Sequence, residues 1–241
     1  MGTNNSDEFS FSTIRDFDAH IAREICGYET LFKIATGIAD TVIATGTNVY
    51  DLGCSTGRFL VTLAGTSAAE TDAFRRRHVR FIGIEPNDNF ADCHRDKPDS
   101  ITFVQERVTA STQFENASLI SSIFTLQFIP IHERQAVVRN IYHGLNPGGV
   151  LLLAEKVYSS DPEIDRLIND RHLDFKREAT DPSQILEKDV RLRSIMRPLT
   201  LQDNVSLLES AGFDRHECFW RVNNFVALIA IKGGAANASG T

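Results

Sequence analysis

Apolar and polar positions alternate along the chain with two different periods. Short, nearly continuous apolar runs indicate strands that are buried on both faces, as in a parallel sheet. Between these runs, apolar residues recur at helical spacing, which indicates helices that cover the sheet. The runs predict strands at 49–52, 79–85, 101–108, 117–130 including its exit, and 150–154. The helical pattern is found at 9–44, 59–65, 89–95, 132–144, 161–178, 183–196 and 200–211.

The predicted fold ends in two antiparallel strands, 216–221 and 224–231, which are separated by a short polar turn. Together with five parallel strands, this ending predicts an α/β fold that resembles the mostly parallel, Rossmann-like sheet of class I methyltransferases. Dehydrogenases continue with a parallel strand instead. N-terminal helices precede the first strand, and a charged helical insertion at about 158–199 follows the fifth. The insertion is typical of a lid or a dimer contact, and equally of a solvated charged face.

One domain is expected, because 241 residues with 42% apolar composition can bury one sizeable core. Its predicted limits are 9–232, after a flexible N-terminus at 1–8 and before a disordered tail at 233–241. The four cysteines are scattered without metal-ligand spacing, which indicates reduced thiols. No apolar run approaches the length of a membrane span. We therefore expect a soluble, cytoplasmic protein without a metal.

The loop after the first strand reads D-x-G-x-S-x-G over 51–57. Glycine at 53 and 57 allows a sharp turn and a close approach to a ligand, since no Cβ intervenes. The acid at the strand end repels phosphate and suits a cationic or zwitterionic ligand such as S-adenosylmethionine (SAM). A tight turn in any open α/β sheet is the alternative. The candidate cofactor residues of this loop are Asp51, Gly53, Cys54, Ser55 and Gly57.

The second strand also ends in an acid, Glu85, which is followed by Pro86. In ribose-binding α/β folds an acid at this place accepts hydrogen bonds from both ribose hydroxyls. Glu106 and Arg107, after the third strand, either border an adenine or form a surface ion pair. Tyr28, at a helix start, either caps the crevice or packs in a helix corner.

The fourth strand carries no general base, because Ser122 and Ile123 stand where many methyltransferases have an acid or amide. No catalytic residue is therefore predicted. A net charge of −7 gives no overall attraction for nucleic acid or an anionic membrane. The basic cluster at 75–78 lacks interleaved aromatic residues, so direct nucleic-acid binding is not expected.

Beyond these features, the chain resembles the carboxy-SAM synthases, which have the class I methyltransferase fold and act in tRNA wobble-uridine modification. The resemblance implies a SAM-derived ligand, prephenate as the carboxyl source, and a cofactor site that includes Tyr28 and Ile123. It extends over about 9–232. The matching segments are 26–28, 49–55, 116–118, 124–128, 144–149, 154–156, 174–177 and 224–232.

This chain departs from the family pattern at three places. The family arginine that binds the new carboxylate falls on Asp189, which would repel a carboxylate. The asparagine of the fourth strand is Ile123, and an Asp-Asn pair is Glu85-Pro86. The polar candidates on the substrate side are Tyr28, His172, Arg191, Arg193 and Arg197. Helical spacing places Arg193, but not Arg191, on the same face as Asp189.

Three functions follow as hypotheses. The first is SAM-dependent methylation of a small acceptor, which needs in-line geometry but no general base if the acceptor is already nucleophilic. The second is carboxy-SAM synthesis with a displaced arginine. The third is a non-catalytic SAM-binding or partner subunit, for which an apolar seal on the acceptor side is expected. A homodimer through the insertion is expected in each case.

Overall fold

A seven-stranded sheet forms the centre of the protein, in the order β3-β2-β1-β4-β5-β7-β6. The computed structural model describes residues 17–65 and 78–234. Strands β1 to β5 are parallel, and β6 and β7 form the antiparallel hairpin. The predicted sheet is thus confirmed. The strands are Asn48–Leu52, Arg80–Ile84, Ile101–Val104, Ala117–Ile123, Leu145–Lys156, Arg215–Val222 and Phe225–Ile231, numbered β1 to β7.

Helices cover both faces of the sheet. The described helices, α1 to α8, are Phe17–Glu24, Tyr28–Val42, Arg58–Gly65, Ala91–His94, Ile131–Gly144, Pro162–Arg177, Pro182–Ile195 and Leu201–Ala211. Apolar residues of α2 and α3 pack on one face, and those of α5 and α8 pack on the other. Each helix buries its apolar stripe against strands that are themselves buried, which gives a three-layer core.

The structure corrects several predicted boundaries. Strand β3 ends at Val104 and not at 108, because β2, its hydrogen-bonded neighbour, ends at Ile84. The helix expected at 89–95 is a 3₁₀ turn followed by the four-residue α4. The fourth strand ends at Ile123, where Phe124 takes a positive φ of 58°.

Strand β5 begins at Leu145 and not at 150, although a Pro-Gly-Gly sequence was expected only to end the preceding helix. Ala117 pairs with Leu145, and Leu119 pairs with Val150. Residues 146–149 therefore bulge out of the strand between two paired positions. Gly148 has a φ of 80°, a conformation that favours glycine and permits this bulge.

The insertion between β5 and α8 leaves and rejoins the domain at neighbouring points. Val157 and Leu199 form an isolated parallel bridge, and the Tyr158 amide donates to the Leu199 carbonyl at 3.3 Å. Helices α6 and α7 lie between these points, each with a capping aspartate and a proline in its first turn. Closing the insertion at its base fixes both helices beside the carboxyl ends of the strands.

Within 17–65 and 78–234, no helix is long and apolar enough to cross a membrane. The same residues contain no group of three or more His, Cys, Asp or Glu side chains that could bind a metal ion. The four cysteines are free thiols, as expected. The predicted N-terminus at 1–8, most of the basic cluster at 75–78 and most of the predicted tail lie outside the described residues.

Candidate active site

The glycine loop after β1 packs tightly against the end of β2 and against the residues that follow β4. The amides of Gly53 and Cys54 both donate to the Ile84 carbonyl, at 2.8 and 3.2 Å. Gly53 has a φ of 67°, and a Cβ there would overlap the side chain of Thr125. Glycine is thus required for its backbone angle and for this contact. The turn exposes the backbone to the cavity that lies above the strand ends.

Two acids lie at the ends of neighbouring strands beside this loop. Asp51 pairs in register with Gly83 on β2, so Asp51 and Glu85 lie at the same edge of the sheet. Glu85 accepts hydrogen bonds from the amides of Ser55 at 2.9 Å and Asn87 at 3.0 Å. Its carboxylate is therefore positioned by the loop, and each oxygen keeps lone pairs for a ligand.

Asp51 is buried and accepts a hydrogen bond of 2.7 Å from the Ser121 hydroxyl. Burial raises the pKa of Asp51 to about 7, and the Glu85 carboxylate contributes in the same direction. Burial also raises the pKa of Glu85. Two adjacent carboxylates that are desolvated in this way favour a cationic ligand, since a positive charge stabilises both ionised forms.

A histidine supports the loop from the side away from the cavity. His94 Nε2 lies 2.7 Å from the Ser55 carbonyl oxygen, and its ring stacks on Phe103 with centroids 3.8 Å apart. Gly57, with a φ of 77°, has no room for a Cβ because the Phe103 ring lies against it. Gly57 therefore shapes the loop through packing and does not line the cavity.

Helix α1 and the start of α2 cover the mouth of the cavity. Thr56 Oγ1 donates to Asp18 Oδ1 at 2.9 Å, and the Phe17 ring meets Phe90 edge-on with centroids 5.1 Å apart. Tyr28, the first residue of α2, lines the cavity and lies 6.4 Å from the Phe124 ring centroid. The Tyr28 ring thus packs in a helix corner, and that corner forms part of the cavity wall.

The insertion end of the cavity contains a group of buried charged side chains. Glu24 Oε2 accepts from Lys176 Nζ at 2.8 Å and lies 3.1 Å from Lys188 Nζ. Lys188 Nζ also lies 2.7 Å from His20 Nε2. Burial lowers the pKa of Lys188, and the Glu24 carboxylate counteracts that effect. One carboxylate therefore joins α1 to both helices of the insertion.

The cavity has a volume of about 950 Å³. That is large for a single small ligand and leaves space for a second molecule. Most of the predicted site residues line it: Tyr28, Asp51, Gly53, Cys54, Ser55, Glu85, Pro86, Arg107, Ile123 and Arg193. His172, a polar candidate on the substrate side, also lines it.

Four predicted site residues do not line the cavity: Gly57, Glu106, Arg191 and Arg197. Glu106 is exposed beyond the end of β3. Arg191 pairs with Glu187 on the outer face of α7, and its side chain is 57% exposed. Arg197 donates to the backbone carbonyls of Arg193 and Met196. As helical spacing predicted, Arg193 pairs with Asp189, at 2.7 Å.

Sequence reasoning missed several cavity residues that belong to distant segments. Glu24, Lys156, Lys176 and Lys188 line the cavity, but each is one charged residue on a helix or strand end. The signals were the similarity of 154–156 and 174–177 to the carboxy-SAM synthases and the match of Glu187 and Lys188 to a Gln-Lys pair of that family. These signals marked Lys156, Lys176 and Lys188 without indicating a role.

Comparison with known proteins gives the family. Residues 49–149 match a family model described as a methyltransferase domain. The carboxy-S-adenosyl-L-methionine synthase of Staphylococcus epidermidis is 34% identical over 226 residues, covering 92% of this chain and 95% of the relative.

Solved structures agree on the fold. A SAM-dependent methyltransferase of Thermotoga maritima has a TM-score of 0.53 at 14% identity, covering 83% of this chain and 89% of the other. Human N-acetylserotonin methyltransferase in complex with SAM has a TM-score of 0.51 at 17% identity, covering 77% and 47% respectively. The chain thus belongs to the carboxy-S-adenosyl-L-methionine synthase family, whose members are SAM-dependent enzymes on the class I methyltransferase fold.

Proposed function

We propose that the chain binds SAM in this cavity and transfers the sulfonium methyl group to a small acceptor. The observation that carries the proposal is the pair of buried acids, Asp51 and Glu85, at the ends of β1 and β2 beside a glycine loop. Glu85 is positioned to accept hydrogen bonds from the ribose hydroxyls. Asp51 supplies negative charge near the ammonium and sulfonium groups of the ligand.

Methyl transfer requires an oriented acceptor on the other side of the cavity but no general base there. The acceptor attacks the methyl carbon in line with the carbon–sulfur bond, whose electron pair returns to sulfur, and the product is S-adenosylhomocysteine. Ser122 is buried and Ile123 is apolar, so neither can act as a general base. The reaction therefore depends on orientation, and the acceptor must reach the site as a nucleophile or lose its proton to solvent.

Carboxy-SAM synthesis is the second candidate, favoured by the family and by the ammonium of Lys156 in the cavity. Against it, Asp189 lines the cavity where the family resemblance expects an arginine. Neither neighbouring arginine takes over the binding of the carboxylate, since Arg193 pairs with Asp189 and Arg191 pairs with Glu187 on the outer face of α7. A non-catalytic subunit is disfavoured, because the described acceptor side is not an apolar seal: charged side chains such as Lys156 and Lys176 line it together with apolar ones.

Mass spectrometry of the denatured, purified protein tests these candidates. The protein is then incubated with SAM, with and without prephenate, and the adenosyl products are identified. Retained SAM or S-adenosylhomocysteine, with no carboxylated product in either incubation, favours the methyltransferase over the carboxy-SAM synthase. Formation of carboxy-SAM with prephenate would replace it with the second candidate. Failure to bind any adenosyl ligand, checked by calorimetry with S-adenosylhomocysteine, would overturn both.

We also propose that the protein forms a homodimer through the insertion and acts in the cytoplasm on a small-molecule substrate. Support for the dimer comes from four exposed apolar side chains at helical spacing, Ile164 and Leu167 on α6 and Leu186 and Val190 on α7. Light scattering of the Leu186→Glu variant tests it. A wild-type dimer that becomes monomeric is expected, whereas the Ile131→Glu control, also at an exposed apolar position, remains dimeric. A monomeric wild type would contradict the proposal.

A further inference from the structure

The two ends of the cavity carry opposite charge. Acids line the cofactor end, where Asp51 and Glu85 meet the glycine loop. At the insertion end, cations outnumber carboxylates. The cations there are Lys156, Lys176, Lys188 and Arg193, and the carboxylates are Glu24 and Asp189. Arg166 and Asp170, which also line the cavity, pair with each other at 3.2 Å. A cationic cofactor and an anionic acceptor would therefore each meet complementary charge.

Among the described residues, Lys156 is the one cation at this end whose ammonium has no direct partner. It is the last residue of β5, opposite Phe225 of β7, and its side chain lines the cavity. Within the described parts of the chain its ammonium makes neither a hydrogen bond nor an ion pair, whereas Lys176, Lys188 and Arg193 each pair with a carboxylate. Burial lowers the pKa of Lys156, and Asp189 only partly offsets that effect. This ammonium is partly shielded from water and has no partner among the described residues, so it would gain from a ligand anion.

His172 lines the same end of the cavity and has a ring nitrogen without a hydrogen-bond partner among the described residues. The ring is 7% exposed, lines the cavity and meets Phe225 edge-on with centroids 5.1 Å apart. Its Nδ1 is buried and has no hydrogen-bond partner among the described residues. Burial, together with Lys156 and Lys176, lowers the pKa of His172 to about 4. The ring is therefore neutral near pH 7, and because Nδ1 is shielded from the cavity, it is Nε2 that would carry the N–H toward a ligand oxygen.

We propose that Lys156 and His172 form a subsite for a carboxylate of the acceptor, with Lys176 adding positive charge at the same end of the cavity. The ammonium neutralises the carboxylate, and the imidazole N–H donates to one of its oxygens. The assignment rests on the proposed function, since it requires SAM at the other end of the cavity. In this chain, Lys156 and His172 would bind the carboxylate for which the family resemblance expects an arginine at position 189. The carboxylate of SAM itself is the other source of the same chemistry, and the experiment separates the two.

Calorimetry with two isosteric probes tests the subsite. Phenylacetate or phenylacetamide is titrated into protein that is saturated with S-adenosylhomocysteine. Phenylacetate should bind more tightly than the uncharged amide, and Lys156→Met should weaken phenylacetate binding at least about tenfold. The Kd of S-adenosylhomocysteine should stay within about twofold of wild type. Lys33→Met, which removes an exposed lysine outside the cavity, should change neither value.

Several outcomes would overturn the subsite. One is equal phenylacetate affinity in wild type and Lys156→Met; another is failure of wild type to prefer the acid over the amide. Loss of S-adenosylhomocysteine affinity in Lys156→Met would assign the ammonium to the cofactor's own carboxylate. A wild-type protein that binds no S-adenosylhomocysteine would refute the proposed function instead. Thermal unfolding monitors folding of each variant, and Lys156→Gln serves as a second neutral substitution.

Discussion

The cofactor end and the insertion end of the cavity are built in different ways. At the cofactor end, the Glu85 carboxylate accepts hydrogen bonds from the backbone amides of Ser55 and Asn87. At the insertion end, side chains of α1, α6 and α7 pair with one another through Glu24. The first arrangement is set by one short loop and two strand ends. The second exists only when three helices pack together, because its carboxylate and its two ammonium groups come from three different helices.

The largest expected effect falls on the insertion end. Glu24→Gln leaves the ammonium groups of Lys176 and Lys188 without a carboxylate. The pair is buried, since the Glu24 side chain is only 9% exposed. Removing one partner of a buried ion pair costs about 3 kcal/mol of unfolding free energy. Urea denaturation measures the loss. Glu29→Gln breaks an exposed pair with Arg58 and should cost less than about 1 kcal/mol. Equal losses in the two variants would show that the buried group does not stabilise the fold.

The cofactor end should respond most to Glu85→Gln. A charged acceptor that binds two hydroxyl groups is replaced by a neutral amide, which weakens S-adenosylhomocysteine binding roughly 10- to 100-fold. Glu106→Gln is the matched control, because Glu106 is exposed and does not line the cavity. Calorimetry gives both affinities. An unchanged Kd for Glu85→Gln would remove Glu85 from the ribose site.

The pH dependence of SAM binding should follow Asp51. Its carboxyl is ionised only above its raised pKa of about 7, and the positive charges of SAM favour the ionised form. SAM affinity should fall by up to about tenfold per pH unit below that value, with proton release on binding. Calorimetry in buffers of different ionisation enthalpy measures both effects. Asp51→Asn should flatten this dependence, and a profile unaltered by that substitution would assign it to another group.

In the ligand-free protein, the Asp51 carboxyl makes the unfolding free energy fall as the pH rises, whereas SAM affinity rises with pH. Because the folded state raises the pKa of Asp51 above the ordinary value of 3.8, the folded state retains the proton longer than the unfolded chain. The contribution to stability is complete below about pH 4 and is lost as the pH rises toward 7. Urea denaturation of wild type and Asp51→Asn over this range isolates that contribution. A loss of equal size in Asp51→Asn would exclude Asp51 as its source.

The sequence was informative where structure is local. The D-x-G-x-S-x-G loop, the strand-end acids and the closing hairpin were all found, because each depends on a short apolar run and the residues next to it. Boundaries were wrong where a neighbouring strand decided them. Strand β3 ends early because β2 ends, and the start of β5 depends on its pairing with Ala117. Neither neighbour is visible in the local pattern.

The insertion end could not be found in this way. Glu24, Lys156 and Lys188 are far apart in the sequence, and each is a single charged residue whose neighbours in the fold are not visible locally. Periodicity places such residues on the solvent side of a helix, which is correct for Arg191 and wrong for Lys176. Tertiary packing decides which of these cations is buried. Only the spatial arrangement shows that α1 and the insertion meet over the cavity.

The smallest effect is expected for substitution of Arg191. The same substitution distinguishes most directly between methyl transfer and carboxy-SAM synthesis. Its side chain is exposed and pairs with Glu187, so Arg191→Ala should change neither S-adenosylhomocysteine affinity nor methyl transfer by more than about twofold. Arg193→Ala is the matched control, since it removes a cation that does line the cavity and pairs with Asp189. Both variants are assayed for adenosyl products with SAM and prephenate. If carboxy-SAM forms in wild type and is lost only in Arg191→Ala, α7 must turn Arg191 inward, and the arginine of the family has then moved by two residues along the helix.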